Sequence, residues 1–597
     1  MTNYNTQGDE RRGSMNPICY ILVLFAFTGA GLVLSSCQKS YESVPLGQQI
    51  TLDLAFDPLD SLGIQARAYL LTTYQQVLYS GHNRIGGNYL DAASDDAVAS
   101  ASGIPAVQAI ATGAYSAAST NADDVWARDY AAIRNATVYI VYINRVPLAE
   151  LLPNGQSARA AYRSEARFLR AWLYFDLLKR YGGIPLLGDS IRQITDNIQV
   201  PRNSFSDCVN YIVSECDNIK DSLRTAAMVN TTTYGRITKG AALALKSEVL
   251  LYAASPLFNG GNIDGSNSLT GYTAYDANRW KLAADAAQDI VNLSTYSLMP
   301  NFNDVFITQA APVGPNTESI FWMQQGNNSS VEAANAPVGF TSAGGGGATS
   351  PTQNLVDAFP TDSGYAITDA AAHYNADDPY SHRDPRLNLT VFHNGSLWLN
   401  RAVQTFDGGL DKPGGTVQQT KTSYYMRKFM GAFESVTNNP PSYSGVYHDF
   451  IYYRYAGILL NYAEAANEFS GPSTDIYNIL YALRKRAGIL TGPDNTYGVP
   501  QGQTQDEMRA FIRNERRIEM AFEEQRYWDI RRWKIAGQVY NGAPLQGFDI
   551  QLSSGGQIFY NPIPVLTTVF RDPQMYLYPV PYSEVIKNNQ MKQNPLW

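Results

Sequence analysis

The stretch "AYRSEARFLRAWLYFDLLKRYGGIPL", residues 161–186, constrains the fold more than any other. Ala166, Leu169, Leu173 and Leu177 recur at helical spacing on one face, and Phe168, Trp172 and Phe175 on another. A helix apolar on two faces has to lie between neighbours. Gly182-Gly183 and Pro185 then end it, as glycine past the last turn and a following proline do. The pattern recurs over 58–80, 123–146, 204–225 and 450–468, where Tyr455, Leu459, Tyr462 and Ala466 align. In "TKGAALALKSEVLLYAASP", 238–256, Gly240, Ala241, Ala242, Ala244 and Ala253 let neighbouring helices approach closely. Paired helices of this kind predict a mainly α fold: tetratricopeptide-like helix pairs forming a superhelical scaffold with a large irregular, loop-rich insertion.

The scaffold is expected over about 51–256 and 450–540, with a C-terminal segment at 541–597. Residues 257–449 hold "NGGNIDGSNSLTGY", "AGGGGATSP", "FDGGLDKPGGT" and "TNNPPSYSG", a composition that favours loops. Such a length requires short strands and helices of its own. The quartet Gly344–Gly347 reads as flexible loop.

The formal charge is −8 and no long basic run occurs, so nucleic acid is not an expected partner. Cys208 and Cys216 lie eight residues apart on one expected helix. That is about 12 Å, too far for a disulfide. No Cys/His group has zinc spacing. The 40 tyrosines suit polar ligands with a stackable face, although most are expected half-buried between helices.

At the N-terminus, Arg11 and Arg12 precede an apolar run from Ile18 to Leu34, and then come Ser35, Ser36 and Cys37. A basic flank, an apolar stretch and small residues before a cut site describe a secretory signal. Leu34-Ser35-Ser36-Cys37 looks like a bacterial lipobox, which makes 1–36 a lipoprotein signal peptide and Cys37 the lipid anchor. Several acyl chains, palmitate among them, would hold the chain at a membrane. Residues 37–50 read as a flexible tether.

No HExxH, P-loop, nucleophile elbow or dinucleotide fingerprint is present. Asp91, Asp95 and Asp96 form a tight carboxylate cluster. Capping or buried hydrogen bonding is the expected use, with a calcium site or a glycosidase pair as alternatives. The charged run 506–533 reads as one helix locked to its neighbours by ion pairs, with Arg516–Glu519 and Glu523–Arg526 within it.

The chain resembles the SusD/RagB-like outer-membrane nutrient-binding lipoproteins of the Bacteroidetes from Cys37 to Trp597. The residues that carry the resemblance include "YLDAASDDA" (89–97), "EARFLRAWLYFDLLKRYGGIPL" (165–186), "RYAGILLNYAEAANE" (454–468), "IRNERRIEMAFEEQRYWDIRRW" (512–533), "LYPVP" (577–581) and "QNPLW" (593–597). Gly457 and Leu596 depart from the family pattern. The resemblance implies four helix pairs supporting an irregular region, on a lipid-anchored protein facing the cell exterior at the outer membrane. It further implies a SusC-like TonB-dependent barrel transporter as partner, oligosaccharides or in some branches peptides as ligand, no catalysis and no required cofactor. Ligand contacts in this family lie in variable loops. Aromatic and polar residues in polar loops are therefore the candidates: Asn83, Arg84 and Tyr89 in "HNRIGGNY", Tyr272 and Tyr275 in "GYTAYD", Trp322 before "MQQGNNSS", and Trp398 in "HNGSLWLN".

Overall fold

The computed structural model describes residues 51–193, 195–197, 199–261, 263–431, 443 and 445–597. The signal peptide, Cys37 and the tether expected over 37–50 lie outside these. The chain divides into two units, 1–57 and 58–597. Within the first, the helix Leu52–Ala55 is capped by Thr51, whose hydroxyl accepts the Leu54 N–H.

Among the described residues the second unit has ten helices of eight or more residues: α1 (Ile64–Val77), α2 (Trp126–Tyr142), α3 (Ala158–Tyr181), α4 (Phe205–Ile219), α5 (Lys239–Ala254), α6 (Asn278–Val291), α7 (Tyr455–Ser470), α8 (Thr474–Ala487), α9 (Gln505–Glu519) and α10 (Gln525–Arg532). Side chains cap their starts: Ser157 on α3, Ser204 on α4, Thr238 on α5, and a full capping box between Thr504 and Glu507 on α9. Gly182 follows α3 at φ 74°, a backbone state that glycine adopts without cost.

Helices pair in chain order, α1 with α2, α3 with α4, α5 with α6, and α7 with α8. Each pair also packs on the next, through α2 on α3, α4 on α5 and α6 on α7. This is the tetratricopeptide-like arrangement that periodicity predicts. α3 is buried nearly all round. Leu251, Trp280, Ala283, Ala463, Ile476, Leu480, Met508 and Ile512 join α5 through α9 in one core.

Several particulars differ from expectation. α6 falls inside the stretch expected to be loop-rich, yet its Trp280, Ala283 and Ala287 are core residues packed on α5 and α7. Gly-rich loops on either side hide that signal. Gly344–Gly347 is packed, not loose: Gly346 and Gly347 donate N–H groups to Ala333 and Ala336, and a Cβ on Gly344 would lie 2.6 Å from Ala333 Cα. The single helix expected over 506–533 is two, interrupted at 520–524 where Phe522 and Glu524 take φ of 62° and 59°. Asp91 accepts the Phe522 N–H at 3.0 Å and Arg84 grips the Glu524 carboxylate, so tertiary bonds make the break.

The ion-pair network is present, with other partners. Arg516 holds Asp529 at 2.8 Å, and Arg526 takes Asp95 bidentately at 2.8 and 2.9 Å. Glu519 and Glu523 converge on Arg454. The remaining secondary structure among the described residues is short helices and six two-stranded antiparallel sheets. Cys208 and Cys216 are free and buried, and burial pushes the Cys208 thiol up to about 12.

Candidate functional site

The aspartate cluster is taken up structurally. Asp95 faces Arg517 and Arg526, and Asp96 faces Arg517 at 2.6 Å. Burial opposes charge on Asp95, but the two guanidinium groups outweigh it and hold that carboxyl below the usual range. Burial, reinforced by Asp96 and Glu524, pushes Asp91 well up. Among the described residues no group of three or more His, Cys, Asp or Glu is placed to hold a metal ion.

Most of the expected ligand residues are built into the framework. Tyr89 is fully buried, parallel to Phe429 with ring centroids 5.7 Å apart, and its hydroxyl meets His82 Nδ1 at 2.7 Å. Arg84 spans Glu524 and Asp123. Half-buried Asn83 accepts from Asn335 Nδ2 at 2.7 Å. Trp398, 1% exposed, donates its indole N–H to the Gly431 carbonyl at 2.9 Å. Trp322 is buried against Tyr234. Tyr272 is half-buried, with the Arg279 guanidinium 3.5 Å above its ring and Phe205 at its edge. Of the seven, Tyr275 is the one whose ring stands in solvent, at 62% exposure. Asn83, Arg84 and Tyr89 share one loop, while the two tyrosines and two tryptophans are distributed among different neighbours.

A concave, aromatic and polar surface forms elsewhere, between the loop 113–125, the start of α2, the loop after α3 and the C-terminal segment. Hydrogen bonds to main-chain carbonyls weld these pieces. Arg571 donates to the Gly113 and Tyr115 carbonyls, and the Tyr582 N–H to that of Ala117. Asn594 Nδ2 bridges the Tyr181 and Tyr578 carbonyls, and Asn588 Nδ2 reaches that of Val200. The terminal Trp597 stacks on Tyr115, centroids 5.3 Å apart and planes 27° from parallel, while its Nε1–H is shared by the Gln574 and Leu577 carbonyls.

Three recesses follow one another along this seam. The first, about 740 Å³, lies between Tyr115, Arg571, Gln574, Tyr582, Gln593 and Trp597. The second, about 380 Å³, shares Ala117, Ala118 and Tyr582 with it and reaches Asp124 and Trp126. The third, about 360 Å³, shares Trp126, Ala127 and Glu584 with the second and is walled by Tyr130, Leu187, Val200 and Met591. Tyr582 is 54% exposed at the first junction. Small Ala117 and Ala118 leave the floor open, while amide and guanidinium groups line the rim. Flat rings between fixed polar groups suit a ligand with an apolar ring face and hydroxyls at its edge.

Sequence reading missed these residues. "LYPVP" and "QNPLW" read as scaffold, and Tyr115 lies in an unremarked stretch, "TGAYSAAST". An aromatic followed by Ser-Ala-Ala was the available signal, since small neighbours leave its surroundings open.

Two family models match the chain. One, described as the SusD family, covers residues 314–597, and one described as starch-binding associating with outer membrane covers 66–251. A solved SusD-like protein of Bacteroides fragilis superposes on 92% of this chain and 99% of its own, with TM-score 0.72 and 26% identity.

The chain belongs to the SusD/RagB family.

Curated SusD/RagB relatives agree. SusD-like protein P2 of Formosa agariphila is 36% identical over 151 residues, 25% of this chain and 26% of that protein. SusD-like protein P38 of the same organism is 23% identical over 432 residues, 71% of this chain and 74% of that one. The chain thus spans about a quarter of the first relative's length and about three quarters of the second's. A laminarin-binding SusD-like protein shares the fold at TM-score 0.59 and 20% identity.

Proposed function

We propose that this chain is a cell-surface binding protein of the SusD/RagB family, lipid-anchored through Cys37 at the outer membrane. It captures oligosaccharides or polysaccharide fragments and passes them to a TonB-dependent barrel transporter, leaving bond cleavage to other proteins. The observation that carries this reading is the seam of three recesses, where exposed Tyr582 and the Tyr115–Trp597 pair stand among Gln574, Gln593 and Arg571. A sugar lays its C–H face on such rings and spends its hydroxyls on amides and guanidinium groups. The names of relatives support it: one neighbour is laminarin-binding, and another is surface glycan-binding protein A of Bacteroides fluxus. The family's peptide-binding branch is the second reading, favoured by the apolar walls of the third recess.

The test is titration calorimetry of the purified chain against neutral and acidic oligosaccharides and short peptides, with reducing sugar assayed in parallel. Saturable saccharide binding without sustained release of reducing ends is expected. Turnover, or binding of peptides alone, overturns it. Co-purification with a large outer-membrane barrel, and globomycin-sensitive processing lost in C37S, test the partner and the anchor.

A further inference from the structure

Buried guanidinium groups in this chain are usually matched by carboxylates, as Arg180, Arg386, Arg454 and Arg532 are. Beside the seam two buried ones, Arg202 and Arg531, and the exposed Arg571 are satisfied differently. Arg202, 7% exposed, donates to the Gly183, Tyr181 and Lys592 carbonyls and to Asn594 Oδ1. Arg531, 2% exposed, reaches the Tyr527 carbonyl and the Tyr540 hydroxyl. Arg571 donates to the Gly113 and Tyr115 carbonyls and Gln574 Oε1.

Carbonyl dipoles satisfy N–H groups without cancelling a charge, and a charge at the edge of low-dielectric protein acts over a longer range than one in water. Tyr115 lies between two of these cations: Arg531, which also hydrogen-bonds its buried hydroxyl, and Arg571 both act on it electrostatically. Its outer neighbours are Trp597, stacked on its ring, and the first recess, whose walls carry Arg571 and no Asp or Glu side chain. In a chain of net charge −8, the first recess thus presents a guanidinium with no carboxylate side chain on its own walls, although Asp124 and Glu584 line the second. Three of Arg571's five N–H groups are used by the protein, which leaves two for a ligand.

We propose that the recess beside Arg571 receives an anionic sugar unit, a uronate or a sulfate ester, with its ring against the aromatic wall and its acidic group on Arg571. The proposal rests on the seam being the glycan site. Its chemistry is charge-assisted hydrogen bonding, strongest where the guanidinium is not already neutralised.

Calorimetry of the full chain with trigalacturonate, a sulfated carrageenan tetrasaccharide and a neutral laminari-oligosaccharide of similar length tests it. At least one anionic probe is expected to bind about tenfold more tightly than the neutral one, the weight of one charged hydrogen-bonded contact. That preference should shrink from about 50 mM to about 500 mM salt. R571Q should reduce it to less than about threefold by weakening anionic binding more than neutral binding, and R571K should retain part of it. The uronate and sulfate arms separate the two sources of charge. Equal or tighter neutral binding, or an equal loss of both in R571Q, overturns the inference and leaves the glycan reading standing. Failure of every saccharide to bind, with Y582A indistinguishable from the parent chain, overturns both.

Discussion

Arg454 is the side chain on which the ion-pair network turns. It is 1% exposed and contacts Glu318 at 2.6 Å, Glu519 at 2.7 Å and Glu523 at 2.7 Å, with a further bond to the Glu519 carbonyl at 2.8 Å. R454M keeps most of the stem and removes the charge. Removing one member of a buried ion pair costs about 3–5 kcal/mol, because the other charge stays buried. Each carboxylate here keeps a second cation: Glu318 has Arg486, Glu519 has Arg386 and Arg486, and Glu523 has Lys428. The cost therefore falls near the lower end, about 3 kcal/mol. The unit spans residues 58–597. At roughly 2.1 cal/mol/K per residue its unfolding entropy is about 1.1 kcal/mol/K, so Tm should drop by about 3 °C. Differential scanning calorimetry of R454M beside the parent chain measures this. An unchanged or raised Tm would refute the reasoning, since it would mean that the three carboxylates need no fourth cation.

Other expectations follow from the same structure. Burial alone would raise Glu464, but Arg532 overcomes it and holds the carboxyl at about 2 in place of 4.5. A depressed carboxylate stabilises the fold fully above about pH 4.5 and loses that contribution as pH falls towards 2, here roughly 3 kcal/mol. Denaturant titrations should show E464Q less stable at neutral pH and less steeply weakened across that window; parallel curves for the two proteins would contradict this. W398F removes a buried indole and its bond to Gly431, so it should cost about 1–3 kcal/mol of stability in denaturant titration without altering oligosaccharide affinity. Y582A should do the reverse, shifting stability by less than about 0.5 kcal/mol and weakening binding about five- to tenfold by calorimetry.

The scaffold was legible because it is written locally. The doubly apolar face of α3, its Gly182 terminator and the small residues of α5 each follow from neighbours within a few turns. The break between α9 and α10 was not, because Phe522 and Glu524 carry no turn chemistry of their own. Asp91 and Arg84, more than four hundred residues earlier, impose it. The proposed ligand surface was hidden for a similar reason: Tyr115 and Trp597 meet across more than four hundred residues of sequence. Polar sequence context also misleads about aromatics. Tyr89 and Trp398 sit among Asn and Gly, yet each gains more by burying its ring than the loop gains by exposing it.

Amide hydrogen exchange of the chain with a saturating oligosaccharide tests the central claim most directly, because it reports where the ligand lies. The account predicts slowed exchange in residues 113–118 and 574–597, with the loops at 83–88 and 333–348 unchanged. Protection confined to those loops, with none along the Tyr115–Trp597 seam, would contradict it.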